Sequence, residues 1–223
     1  PVPILRSPIV NPVIAVILGA IGFAIALCLQ LLVRRYVAWV YWLTVVMVAV
    51  FGTMCADVVH IVLGVPYLIS TIFFAFCLTL VFILWYLSEK TLSIHSIYTM
   101  RRELFYWATI ITTFALGTAA GDMTAYTLHL GFFTAGVLFL ALFAIPALGY
   151  FLFRLNAIVA FWVAYVLTRP IGASFADWTG KTPSEGGSGL GSGHVSLVLA
   201  LLVICFVGYL TITRKDIQSD HLQ

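Results

Sequence analysis

Seven unbroken apolar runs, near residues 12–33, 37–62, 67–87, 104–128, 132–153, 156–176 and 195–212, constrain the fold class before any motif is read. Each is long enough to cross a bilayer, which takes about 20 helical residues rising about 1.5 Å apiece. None alternates apolar and polar residues as a membrane β-strand must, and a helix satisfies its own backbone in lipid. The expectation is therefore all-α: a polytopic membrane protein of seven transmembrane helices forming a single transmembrane domain. Only 9% of the 223 residues are charged, against roughly a quarter in a soluble domain, so a soluble enzyme is excluded. The lipid bilayer is the expected partner, and basic residues scattered in ones and twos offer no stripe to nucleic acid.

Cations mark the orientation. Arg34, Arg35, Lys90, Arg101, Arg102, Arg154, Arg214 and Lys215 fall at every second connection, while Arg6 and Lys181 fall at the others. The positive-inside rule then places the C-terminus in the cytoplasm and the beginning of the chain outside. Trp39, Tyr41, Trp42, Tyr106 and Trp107 begin the second and fourth runs just after basic loops and read as interfacial anchors. Gly64-Val65-Pro66 and Leu130-Gly131 read as tight hairpin turns, and the Gly/Ser-rich stretch 181–193 reads as a flexible loop. Cys28, Cys55, Cys77 and Cys205 all lie inside apolar runs and read as small buried apolar residues, not as a disulfide framework. The chain opens on Pro1 with no initiator Met and no signal sequence, as a processed chain or a fragment would.

An internal repeat carries the most information. An aromatic–Trp pair is followed ten residues later by Gly and five after that by Asp: Tyr41-Trp42 with Gly52 and Asp57, Tyr106-Trp107 with Gly117 and Asp122, Phe161-Trp162 with Gly172 and Asp177. A small residue follows each Gly by four (Ala56, Gly121, Ala176), giving every copy a small-xxx-small stripe that permits close helix approach. Each unit holds two helices, so all copies enter the membrane in the same direction, related by rotation about the membrane normal. The units span about 37–87, 104–153 and 156–213, with 12–33 as the second half of an incomplete first unit.

GTMCAD, GTAAGD and TRPIGASFAD, each behind its aromatic–Trp pair, resemble the bacterial "uncharacterised membrane-anchored protein" family of tandem two-helix repeats of unknown function. The resemblance covers nearly the whole chain. It implies a bacterial inner-membrane protein of usually four repeats, in which the first acidic helix of the family pattern is absent here.

Depth gives the repeat a chemical reading. Fifteen residues from Trp to Asp rise about 22 Å, so Asp57, Asp122 and Asp177 occupy one layer away from the Trp residues. Intramembrane carboxylates are costly and face the bundle interior, a cavity or a partner. Thr53 and Thr118 precede their Asp by four and share its face. Ionised together, three carboxylates repel, so either some are protonated or a cation joins them. His60 and His129 lie in the same broad layer, and Asp, Thr and His together form a candidate metal set for a divalent cation: imidazole favours Mn, Fe or Zn, hydroxyl favours Mg, Ca or Na. The histidines follow their Asp at unequal intervals and are not part of the repeat. Equally open is a packing role, with each Asp hydrogen-bonded to the neighbouring unit.

Arg169 breaks the pattern. It stands where the other copies have Ala49 and Phe114, at mid-membrane and just before Pro170. It reads as a fixed countercharge to the carboxylates or as half of a structural ion pair, with Asp57 or Asp122 the partner within reach. No HExxH, P-loop or dinucleotide fingerprint is present, and no enzymatic activity is expected. Two functions stay open: a small-cation transporter or channel, for a metal ion or protons, using the aspartate layer; and a non-catalytic accessory subunit of a larger bacterial membrane complex, with other membrane subunits or further copies of itself as partners.

Overall fold

The structure, a computed structural model, describes residues 12–33 and 36–214. Of the orientation-marking cations, Arg6, Arg34, Arg35 and Lys215 lie outside the described residues. Within them the chain forms seven helices and no strand: α1 Pro12–Leu32, α2 Ala38–Asp57, α3 Tyr67–Glu89, α4 Met100–Asp122, α5 Gly131–Phe153, α6 Ala157–Gly180 and α7 Ser192–Thr213. All seven are long and apolar enough to cross a membrane. The chain is a multi-pass membrane protein.

Local chemistry explains where the helices start and stop. Asn156 Oδ1 accepts from the backbone N–H of Ile158 and Val159 at the start of α6, and Thr99 Oγ1 accepts from Arg102 N–H at the start of α4, satisfying donors that no helical carbonyl can reach. The helices α3, α5 and α7 each end on a basic residue in the left-handed conformation, Lys90, Arg154 and Arg214. A cation there faces the negative end of the helix dipole. At the opposite ends, Gly64 and Gly131 adopt positive φ in short hairpin turns.

Directly after Asp57 and Asp122 the helix widens into a single π-helical turn, Val58–Val62 and Met123–Thr127. The third copy lacks this turn, and α6 continues from Asp177 to Gly180 as an α-helix.

Packing follows the repeat. In sequence order α2 lies against α4 and α4 against α6, while α1, α3 and α5 pack on α2, α4 and α6 respectively. The repeat glycines make these approaches possible. A Cβ at Gly52 would sit 2.6 Å from Phe114 Cβ, and one at Gly117 would collide with Arg169 Cβ. Phe114 and Arg169 hold the same repeat position, so the second and third copies each insert that residue into the glycine notch of the copy before. A Cβ at Gly172 meets nothing within 4 Å.

At the end of the bundle that carries the aromatic–Trp pairs, here the Trp end, the interior is solid. Trp85, Trp107, Trp162, Val48, Ile110 and Phe114 form one buried cluster. Tyr41 and Tyr106, sixty-five residues apart at one repeat position, join hydroxyls at 2.7 Å. Trp162 Nε1 donates to Leu92 O across 2.9 Å, tying the connection between α3 and α4 to α6. Thr44, wholly buried, donates to Ala26 O as a polar link between α1 and α2.

Three expectations are corrected. Trp107, with 2% of its surface exposed, is a core residue and not an interfacial anchor; its large ring fills space between helices that smaller residues would leave empty. The connection 181–193 is folded back on α6: Thr182 and Glu185 form a capping box, and the backbone N–H groups of Ser188 and Leu190 donate to Trp178 O and Thr179 O. These bonds satisfy α6's terminal carbonyls, which a free loop would leave to water. Of the four cysteines, Cys28 and Cys205 are exposed on the apolar outer surface and Cys55 and Cys77 are half-buried, Cys55 against a core cluster, so none is fully buried.

Candidate functional site

The opposite end of the bundle is hollow. A cavity of about 220 Å³ is lined by Thr53 and Asp57 of α2, Thr118, Gly121 and Asp122 of α4, Ala173, Ser174 and Asp177 of α6, and Lys181 just beyond α6. All three repeat carboxylates reach it, because each stands fifteen residues past its Trp on helices that run in parallel. The two threonines sit one turn deeper and meet each other, Oγ1 to Oγ1, at 3.3 Å.

The third copy departs from the other two. At the position of Thr53 and Thr118 it carries Ala173, and the hydroxyl moves one residue on, to Ser174. Ser174 is 1% exposed and its Oγ has no hydrogen-bond partner, although it lines the cavity. A buried hydroxyl left unsatisfied costs on the order of 1–3 kcal/mol, which a ligand or water in the cavity would recover. Gly121 keeps the space beside it open, since a Cβ there would lie 3.6 Å from Ser174 Oγ.

Among the described residues, one carboxylate of the three is ion-paired: Asp177 Oδ2 accepts from Lys181 Nζ at 3.1 Å. The same ammonium donates to Tyr126 Oη at 3.1 Å and lies 4.1 Å from the centre of the Phe132 ring. Burial works against the lysine charge, but the Asp177 carboxylate and the Tyr126 hydroxyl outweigh it, holding its pKa above the ordinary lysine value. The cavity wall thus carries three carboxyl groups and a single ammonium.

The expected metal set is only partly assembled. Asp57, Asp122, Asp177, Thr53 and Thr118 share the cavity, whereas His60 and His129 do not line it. His60 Nδ1 bonds to Val65 O at 2.7 Å with its ring stacked on Tyr67, and His129 holds a left-handed position in the turn before α5. No three of His, Cys, Asp and Glu among the described residues gather into a group that could hold a metal ion. The carboxylates face one space without converging on one point.

Arg169 is also placed differently from expectation. Its guanidinium carbon lies 3.3 Å above the centre of the Phe114 ring, and its Nε is buried without a hydrogen-bond partner. It does not line the cavity and, among the described residues, forms no ion pair. The physical reason is distance: eight residues of helix separate it from the Asp layer by about 12 Å, and an aromatic face of the adjacent copy is nearer than any carboxylate. The cation beside the carboxylates is Lys181. Its place could have been read from the sequence as the i, i+4 partner of Asp177; Ser174 gave no such signal, being one residue out of register with the repeat.

Three tandem matches to the family model described as "Repeat of Unknown Function (DUF347)" cover residues 40–91, 105–156 and 160–216. The chain belongs to this family. Each matched DUF347 segment contains one aromatic–Trp helix with its Asp and the helix that follows, so the cavity is built from one carboxylate per repeat. Neither a curated relative nor a solved structure matches the chain.

Proposed function

We propose that the chain binds a small cation at the aspartate cavity and carries it across a bacterial inner membrane, with the Trp end cytoplasmic and the Asp end outside. Lys90, Arg101, Arg102, Arg154 and Arg214 at the Trp end, against Lys181 at the other, support that orientation. The observation that carries the reading is the pairing of three repeat carboxylates with an unpartnered buried serine around one cavity. Carboxylates serving only to pack helices would be engaged with the neighbouring unit; among the described residues neither Asp57 nor Asp122 has an ion-pair partner. That the acidic groups line a space and, among the described residues, form no group of three that could hold a metal ion favours a proton or a monovalent cation over a tightly chelated divalent ion as the cargo.

The test is flux and binding in proteoliposomes. Protons, sodium or potassium should move or bind with the purified chain, and Asp122→Asn should abolish this while leaving a folded, inserted protein. Absence of binding and flux for all three ions and for organic cations would overturn the transporter reading in favour of an accessory subunit.

A further inference from the structure

The chain supplies the cavity with a cation of its own. Lys181 Nζ is held by one carboxylate oxygen, one phenol oxygen and the face of Phe132, with the Tyr126 ring 5.2 Å away. Carboxylate, hydroxyl and aromatic faces together suit an alkylammonium ion: the N–H groups need acceptors, and the carbon-bound charge is stabilised over π systems. A bare metal ion would instead require several oxygens converging on a point.

The backbone around this ammonium is fixed. Lys181 N–H donates to Asp177 O, Gly189 N–H donates to Lys181 O, and the Thr182–Glu185 capping box holds the residues that follow. Only the lysine side chain is left free to swing. Beyond it the cavity continues past Asp57 and Asp122 to Ser174, whose buried Oγ has no hydrogen-bond partner. At roughly 30 Å³ per water, a 220 Å³ cavity has room for an organic ion of several heavy atoms.

We propose that the aspartate cavity takes a small organic ammonium ion, and that the side chain of Lys181 is its tethered surrogate, displaced from Asp177, Tyr126 and Phe132 when the ligand enters. The proposal rests on the cation-binding reading above and narrows it to a ligand class. No bond is made or broken: one ammonium replaces another on the same carboxylate.

Methylammonium is the probe, with sodium at equal ionic strength as the control, on the full chain in nanodiscs. In the first measurement, an impermeant amine-reactive ester labels Lys181, read by mass spectrometry of its peptide. Methylammonium should raise the labelling rate at least threefold and saturably, because a displaced lysine loses the contacts that keep it protonated; sodium should not. In the second, Lys181→Met, which keeps the length and loses the charge, should bind methylammonium at least tenfold more tightly than the unmodified chain. If sodium or protons bind in an Asp122-dependent way while methylammonium neither exposes Lys181 nor gains affinity in Lys181→Met, the ammonium proposal is overturned and the cation site stands. If no cation binds either protein, both fall together. Should Lys181→Met fail to fold, the labelling measurement on the native chain decides by itself.

Discussion

The Trp end and the Asp end of the bundle are made by the same three helices from the same repeat, yet one is filled and the other is not. At the Trp end large side chains fill the interior: the Tyr41 and Tyr106 hydroxyls, at one repeat position, bond, and Trp107 and Trp162 pack with Trp85 of α3 in one buried cluster. At the Asp end, equivalent positions face a shared space. Large rings at one level and small or acidic residues at the other account for the contrast.

The sharpest way to break this comparison is to empty the filled end. Trp107→Ala removes a buried ring and should cost about 3–5 kcal/mol, read as a large fall in thermal unfolding temperature in nanodiscs. A loss below about 1 kcal/mol would mean that the Trp cluster is not the stabilising half. A somewhat smaller cost, about 1–3 kcal/mol, is expected for Gly117→Leu, whose side chain must push α4 from the Arg169 backbone; altered helix spacing by cross-linking between α4 and α6 would report it. Asp122→Asn should reverse the pattern, leaving stability within about 1 kcal/mol of the unmodified chain while removing cation binding. A large destabilisation with binding intact would show the carboxylate to be a packing group after all.

The smallest effect concerns pH. A lysine whose folded pKa is raised contributes stability that is fully present below its unfolded pKa and is lost as pH rises through the folded value. The Lys181–Asp177 contact should therefore persist unchanged through neutral pH and weaken only above the ordinary lysine range. Nitrogen chemical shifts of Lys181 would follow it, and a transition near neutrality would contradict the Asp177 and Tyr126 contacts as its cause.

The helices were legible because crossing a membrane is a property of length and apolarity, both one-dimensional: the expected spans differ from the observed ones mostly by a few residues. The gathering of Asp57, Asp122 and Asp177 was legible for a related reason, since equal spacing from Trp on parallel helices fixes a common depth. What spacing could not supply was which side group each residue would meet. Trp107 looks alike in sequence whether it faces headgroups or the core. Charge alone matches Arg169 to the carboxylates, whereas the insertion of its repeat position into the Gly117 notch brings it over Phe114. His60 shared the depth of the Asp layer but was turned aside by the Val65 carbonyl and the Tyr67 ring.

The glycine notches have a consequence of another kind. Gly52 receives Phe114 and Gly117 receives Arg169, so neighbouring copies meet through two unlike surfaces, a contact of the heterologous type. Such contacts give a row of helices a polarity, as in a filament with a barbed and a pointed end. At the α2 end stands a knob position, Ala49, with no earlier described notch to enter; at the α6 end, the groove at Gly172 has nothing within 4 Å. Unlike a mirror-paired dimer, such a series leaves one knob and one notch over, and here α7, packed on both α6 and α2, joins the two ends.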